Sequence, residues 1–128
     1  MRPSILIVED DETLRSTLAR HLRAHGYVVA EADSAEGAIA DLGAGLRPAL
    51  LILDINLPGD TGWSLLRHPA LAAAGSPPVV VASATTINPR RLREFNVAGY
   101  LPKPVPLETL VSTIERLLRP KEASIPDD

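Results

Sequence analysis

The sequence predicts an α/β domain: a parallel sheet, doubly wound, with helices on both faces. Short β-rich apolar runs alternate with helical patterns in β-α order along the whole chain, the arrangement that produces parallel strands joined by crossover helices. Two of the runs, 50–53 and 79–82, are apolar at consecutive positions, so both of their faces must be covered, as in central parallel strands. A length of 128 residues suits one hydrophobic core and one domain.

Each element has a local reason. Residues 5–8 (Ile, Leu, Ile, Val) form the first strand and are followed by Glu9, Asp10, Asp11 and Glu12. Leu14, Leu18 and Leu22 recur at i, i+4, i+8, and Gly26 supplies the stop of the first helix. The second strand is expected over 27–30. Ser34 is the N-cap of a helix carrying Ala35, Ala38, Ile39 and Leu42 that ends near Gly43 and Gly45. The third strand, 50–53, delivers Asp54 into a chain broken at Leu57-Pro58-Gly59 and again at Thr61-Gly62. Trp63, Leu65 and Leu66 begin a third helix that Pro69 interrupts. After the fourth strand, 79–82, Pro89 opens a short fourth helix over 90–95. Tyr100 and Leu101 make a brief fifth strand. Leu107, Leu110, Val111, Ile114, Leu117 and Leu118 form the stripe of a fifth, amphipathic helix. Residues 1–119 are read as the domain and 120–128 as a frayed tail or linker.

Composition excludes several functions. Hydrophobic residues make up 45% and charged residues 23% of the chain, aromatics only 3%, so the core is aliphatic. A net charge of −3 argues against direct nucleic-acid binding. The absence of cysteine removes disulfides, thiolate metal sites and cysteine nucleophiles. No apolar run has the length of a membrane span and no signal-peptide pattern precedes the first strand, so the expected location is the cytoplasm.

In open parallel sheets, ligands bind beyond the carboxyl ends of the strands, and here those ends are polar. Glu9 and Asp10 follow the first strand, Asp54 the third, Ser83 the fourth and Lys103 the fifth. Were the first and third strands neighbours, Asp10 and Asp54 would meet, and clustered carboxylates repel unless a cation joins them. A hard dication with oxygen ligands, Mg²⁺, resolves that repulsion. A carboxylate beside a metal, a lysine and a hydroxyl is a phosphoryl-transfer arrangement, with the carboxylate as nucleophile and an acyl phosphate as product.

Glu9-Asp10, Asp54 with Leu57-Pro58-Gly59, Ser83-Ala84, and Tyr100 ahead of Lys103-Pro104 resemble the receiver domain of bacterial two-component response regulators, over about residues 4–118. The resemblance implies a flavodoxin-like (βα)5 fold with sheet order 2-1-3-4-5. It implies that Asp54 accepts phosphate from a phosphohistidine of a histidine kinase or phosphotransfer protein. Asp10, Asp54 and the backbone carbonyl of Asn56 would ligate Mg²⁺, with Glu9 acting through water. Lys103, Ser83 and the Ala84 backbone would bind the phosphoryl group, and the Lys103-Pro104 bond would be cis. Ser83 and Tyr100 would switch a face made by the fourth helix, fifth strand and fifth helix, read by a downstream protein or output domain. The protein would be a phosphoacceptor signalling domain in a phosphorelay, catalysing only its own phosphorylation and dephosphorylation. Homodimerisation stays open, and the short ends favour a single-domain regulator over a piece of a longer one.

Plainer readings compete residue by residue. Asp11 and Glu12 can simply cap a helix, Lys103 can be a solvated loop lysine, and Tyr100 a half-buried strand residue. For His21, His25 and His68, and for the basic group Arg90, Arg91 and Arg93, a solvated surface is the expectation. Chance polarity at four successive strand ends is the harder reading to sustain. Against the usual family pattern, Ser83 replaces threonine, Asn96 stands at a glycine position, and the 83–103 stretch is short, so a truncated or irregular fourth helix is expected. Asn56 and Thr85 occupy positions that tune the lifetime of the phosphorylated state in the family. Three rivals differ in class. An aspartyl-phosphate hydrolase wants an acid where Asn56 stands. A flavodoxin-like nucleotide or flavin site wants a Gly/Ser/Thr-rich first loop in place of four acids. An interaction module without phosphorylation has no need of the full acidic set.

Overall fold

The computed structural model describes residues 3–119; the tail assigned to 120–128 lies outside them. Five strands, β1 (Ser4–Val8), β2 (Val28–Ala32), β3 (Leu50–Asp54), β4 (Val79–Ser83) and β5 (Gly99–Pro102), form one parallel sheet in the order β2-β1-β3-β4-β5. The connections are α1 (Glu12–Ala24), α2 (Ala35–Gly43), α3 (Gly62–Arg67), α4 (Pro69–Ala73) and α5 (Pro89–Glu94), and α6 (Leu107–Leu118) closes the fold. The doubly wound sheet and its strand order are those expected from sequence.

Side-chain alternation divides the core into two layers. Ile5, Ile7, Leu50, Ile52 and Val80 pack against Leu18 and Leu22 of α1 and Leu110 and Ile114 of α6. Leu6, Val8, Leu51, Leu53, Val79 and Val81 face the opposite way, onto α2, α3 and α4. Every residue of β3 and β4 is buried. Each large aliphatic side chain so buried stabilises the fold by roughly 1.5–3 kcal/mol.

The helix boundaries follow capping chemistry. The Asp11 carboxylate accepts from the Leu14 amide at 3.0 Å and the Ser34 hydroxyl from the Gly37 amide at 3.0 Å. Pro69 divides the third helical segment into α3 and α4 and takes the first turn of α4, where its missing N–H is no loss. His68 is the cap between them, its Nδ1 accepting from the Ala70 amide at 3.0 Å, and it is exposed, as expected. Asn96 occupies the left-handed region at φ 58, as its substitution for glycine requires, and α5 is six residues long with none buried. The short fourth helix is therefore as expected, one residue earlier than 90–95.

Two expectations need correction. The second strand starts at Val28 and runs to Ala32, not over 27–30. The Tyr27 amide still bonds the Leu22 carbonyl in the exit from α1, while pairing of Val8 with Ala32 extends the strand at its far end. Arg91 is not a solvated arginine. Its guanidinium carbon lies 4.5 Å from the centroid of Trp63 and 5.5 Å from that of Phe95, and Arg67 covers Phe95 at 5.4 Å. This stack ties α5 to α3, beside the partly buried Leu92, which packs against the core.

Gly62 matters because of space. It starts α3 directly on the strand end that carries Asp54, and a Cβ there would meet the Asp54 carbonyl oxygen and Ile55 Cα, both at 2.9 Å. Replacing it by alanine is overpacking against backbone, which typically costs about 1–3 kcal/mol. A urea titration of Gly62→Ala should show that loss, with Gly43→Ala, where a Cβ meets nothing within 4 Å, unchanged or slightly stabilised.

Candidate functional site

Two strands, β1 and β3, lead into carboxylates at the same end of the sheet. β1 lies between β2 and β3, so Glu9 and Asp10 leave β1 beside Asp54 at the end of β3. One oxygen from each of Glu9, Asp10 and Asp54 can be found with all three within 4.8 Å of one another. Glu9 is 3% and Asp54 5% exposed, whereas Asp10 is open to solvent. Strand alternation explains part of this: Ile5, Ile7 and then Glu9, like Leu50, Ile52 and Asp54, turn toward the α1–α6 layer.

Lys103 reaches the same spot from the far side of the sheet. Its Nζ donates to Glu9 Oε1 at 2.6 Å and to Asp54 Oδ2 at 3.1 Å, contacts spanning 94 and 49 residues of sequence. The loop that holds it is anchored by the Lys103 amide on the Ser83 carbonyl at 2.9 Å and contains the cis Lys103-Pro104 bond. The other carboxylate oxygens are held by amides: Asp54 Oδ1 accepts from Asn56 at 3.0 Å and Glu9 Oε2 from Asp11 at 3.2 Å. A cavity of about 440 Å³ adjoins the group, polar where Glu9, Asp54 and Lys103 line it and apolar toward Leu14, Leu18 and Val105.

Burial pushes the Glu9 carboxyl above its ordinary range, since an ionised form is disfavoured away from water, and the nearby Asp54 charge adds to this; the Lys103 hydrogen bond opposes it without prevailing. Burial pulls the Lys103 ammonium the other way, but its hydrogen bonds and charge contacts with Glu9 and Asp54 outweigh burial and leave it raised, hence firmly protonated. Three carboxylates against one ammonium leave a formal deficit of two positive charges. An all-oxygen donor set with that deficit fits a small hard dication.

The remaining expected residues form a second group on the other side of Asp54. Ser83, 0% exposed, is held by hydrogen bonds from Asn56 Nδ2 at 3.2 Å and the Thr85 amide at 3.2 Å, and shares a third with the Thr85 hydroxyl at 3.1 Å. Asn56 Nδ2 also donates to Thr85 Oγ1 at 3.0 Å, and the Tyr100 hydroxyl donates to the Thr85 carbonyl at 3.1 Å. Ala84 lines the cavity beside Asp54. The sequence offered the Asn56 backbone but not its side chain as the tie between Asp54's loop and Ser83; only a polar residue two places after the acid hinted at it. His21 and His25 stand apart, rings 4.7 Å between centroids, with His25 Nδ1 against the His21 carbonyl.

Comparison with known proteins finds relatives both in sequence and in fold. The family model of the response regulator receiver domain matches residues 5–115. The response regulator MprA of Mycolicibacterium vanbaalenii is 35% identical over 127 residues, covering 97% of this chain and 52% of its own. Among solved structures, the non-phosphorylated HemR receiver domain of Leptospira biflexa superposes with a TM-score of 0.78 at 31% identity, covering 91% of this chain and 94% of its own. A two-component response regulator from Clostridium difficile gives a TM-score of 0.84 at 24% identity over 95% of this chain and 100% of its own, a likeness of fold. The chain spans about half the length of the curated relatives it matches.

Two outcomes follow for the metal-free protein. Lys103→Met leaves two buried carboxylates uncompensated and should cost about 3–5 kcal/mol in chemical denaturation, partly recovered in Lys103→Met combined with Asp54→Asn. A group whose folded pKa is raised, as for Glu9, adds stability below its unfolded pKa and loses it as pH rises through the folded value. Melting temperatures in EDTA should therefore show Glu9→Gln gaining on the parent protein as pH rises above the ordinary glutamate range, and levelling off once Glu9 is ionised in the folded protein.

Proposed function

The chain belongs to the response regulator receiver domain family, and from that premise we propose that Asp54 accepts a phosphoryl group, with Mg²⁺, from the phosphohistidine of a histidine kinase or phosphotransfer protein. The observation that carries this reading is the buried Asp54 carboxylate with Lys103 Nζ 3.1 Å from one oxygen and two further carboxylates within 4.8 Å.

Asp10, Asp54 and the backbone carbonyl of Asn56 would hold the metal, with Glu9 contributing through water. A bound Mg²⁺ would offset negative charge on the carboxylates and on the incoming phosphoryl oxygens. The chain supplies the rest. An Asp54 oxygen attacks phosphorus, the new P–O bond replaces the P–N bond, and the imidazole leaves with the electron pair and takes up a proton. The Lys103 ammonium is already within reach of that oxygen's partner and can turn to a phosphoryl oxygen. The Ser83 hydroxyl and the Ala84 amide lie at the next strand end, where a second phosphoryl oxygen would need donors.

Such donation requires Ser83 to exchange its contacts with Asn56 and Thr85 for the phosphoryl group. The Thr85 carbonyl carries the Tyr100 hydroxyl, so movement there would release Tyr100 on the face formed by α5, β5 and α6. Phosphorylation would thus bias a two-state equilibrium, and a partner reading that face would respond. That partner is a downstream protein or an attached output domain; direct nucleic-acid binding by this domain is not expected at its net charge of −3. Phosphoryl traffic would be confined to the domain's own phosphorylation and dephosphorylation, in the cytoplasm. Among the described residues no helix is long and apolar enough to cross a membrane.

With Mg²⁺ and acetyl phosphate, intact mass should rise by one phosphoryl group. Asp54→Asn or excess EDTA should reduce the gain to background, and Asp10→Asn should raise the Mg²⁺ concentration needed. Undiminished modification of Asp54→Asn would assign the phosphate elsewhere and end this reading.

A further inference from the structure

β1 ends at Val8, yet the backbone of Glu9 stays fully engaged. Its amide donates to the Ala32 carbonyl of β2 at 3.0 Å. Its carbonyl has run past the strand ladder, and the partner it finds is a side chain: Arg15 Nη1 donates to it at 2.8 Å. Arg15 sits in α1, its own amide bonded to the Asp11 carbonyl at 2.9 Å, and its side chain is only 15% exposed. The guanidinium is held from behind by Glu31 of β2, with Nε to Oε1 at 3.2 Å. Glu31 is itself fixed through Oε2 by Arg23, 3.3 Å away, which also donates to the Val29 carbonyl at 2.9 Å.

We propose that Arg15 is a positioning residue for the acidic site, orienting through one hydrogen bond the peptide plane that joins Glu9 to Asp10. The Glu9 carbonyl and the Asp10 amide belong to the same rigid peptide unit. Fixing that carbonyl fixes the direction in which the Asp10 side chain departs. Glu9 has other restraints, because its carboxylate is held by Lys103 and by the Asp11 amide. Asp10 is exposed, and among the described residues its carboxylate has no restraint of that kind. The planar guanidinium is well shaped for this, because Nε and Nη1 reach two acceptors, Glu31 and the Glu9 carbonyl, at once from a rigid fork.

The inference deepens the Mg²⁺-dependent reading and rests on it, since its effect on function runs through metal affinity. Partners that orient metal ligands typically change affinity by about 10–100-fold when removed. Arg15→Met should raise the Mg²⁺ dissociation constant, measured by calorimetry, about tenfold. Phosphorylation by acetyl phosphate should slow in parallel at low Mg²⁺ and recover at saturating Mg²⁺. Arg15→Lys keeps the charge without the fork, so it should show a smaller rise and safeguards against loss of folding. In metal-free protein, the Asp10 amide nitrogen resonance should move in both variants and stay put in Arg20→Met on the exposed face of α1. A lowered melting temperature with unchanged Mg²⁺ affinity and an unmoved Asp10 resonance would reduce Arg15 to a tie between α1 and β2 and overturn the proposal. Parent protein that binds no Mg²⁺ would instead overturn the reading beneath it, and the Asp10 resonance would still decide whether Arg15 sets that peptide.

Discussion

Like charges gathered at one end of the sheet are the constraint around which this molecule is arranged. Parallel strands end on the same side of the sheet, so whatever follows them converges there. In this chain carboxylates follow two neighbouring strands, and two of the three are almost wholly buried. Lys103, brought from beyond β5, is the counter-charge the fold itself supplies, and it leaves the group two positive charges short. That shortfall, at a place where the backbone cannot retreat because Gly62 already presses α3 against the end of β3, is one that a small hard dication would fill.

Alternation along the strands divides the site into two functional halves. Glu9, Asp54 and Lys103 turn toward α1 and α6, where the charge chemistry is. Ser83, Thr85 and Tyr100 lie toward α5 and are joined by hydrogen bonds to one another and to Asn56. Asn56 is two residues from Asp54 and touches both halves, through its amide on Asp54 and its side chain on Ser83. A change of charge at Asp54 has a short covalent path to the hydroxyl network. α5 buries no residue fully: Leu92 packs partly against the core, and Arg91 stacks on Trp63 of α3.

Much of this was legible in the chain. The caps at Asp11 and Ser34, the break at Pro69, the turn at Asn96 and the aliphatic strands are local effects of residue type, and they act in the folded protein as they read in sequence. Misreadings arose where a tertiary partner overruled local preference. Tyr27 has strand propensity, but its amide is spent on closing α1. Arg91 has the look of a solvated arginine, yet Trp63, 28 positions earlier, offers it a ring face. Arg15 carried no signal at all: an arginine on a helix is ordinary, and the carbonyl it meets belongs to another element.

The sequence by itself determined the element order, the two-sided burial of the central strands and the identity of the polar residue at each strand end, because these depend on neighbours within a few positions. Only the tertiary structure decided which oxygen each donor meets, that Lys103 bridges Glu9 and Asp54, and that Asn56 and Arg15 are the side chains supporting them. Those contacts span from a few residues to 94, and their distances follow from strand register and helix docking, which the pattern of residue types along one chain does not encode at ångström scale.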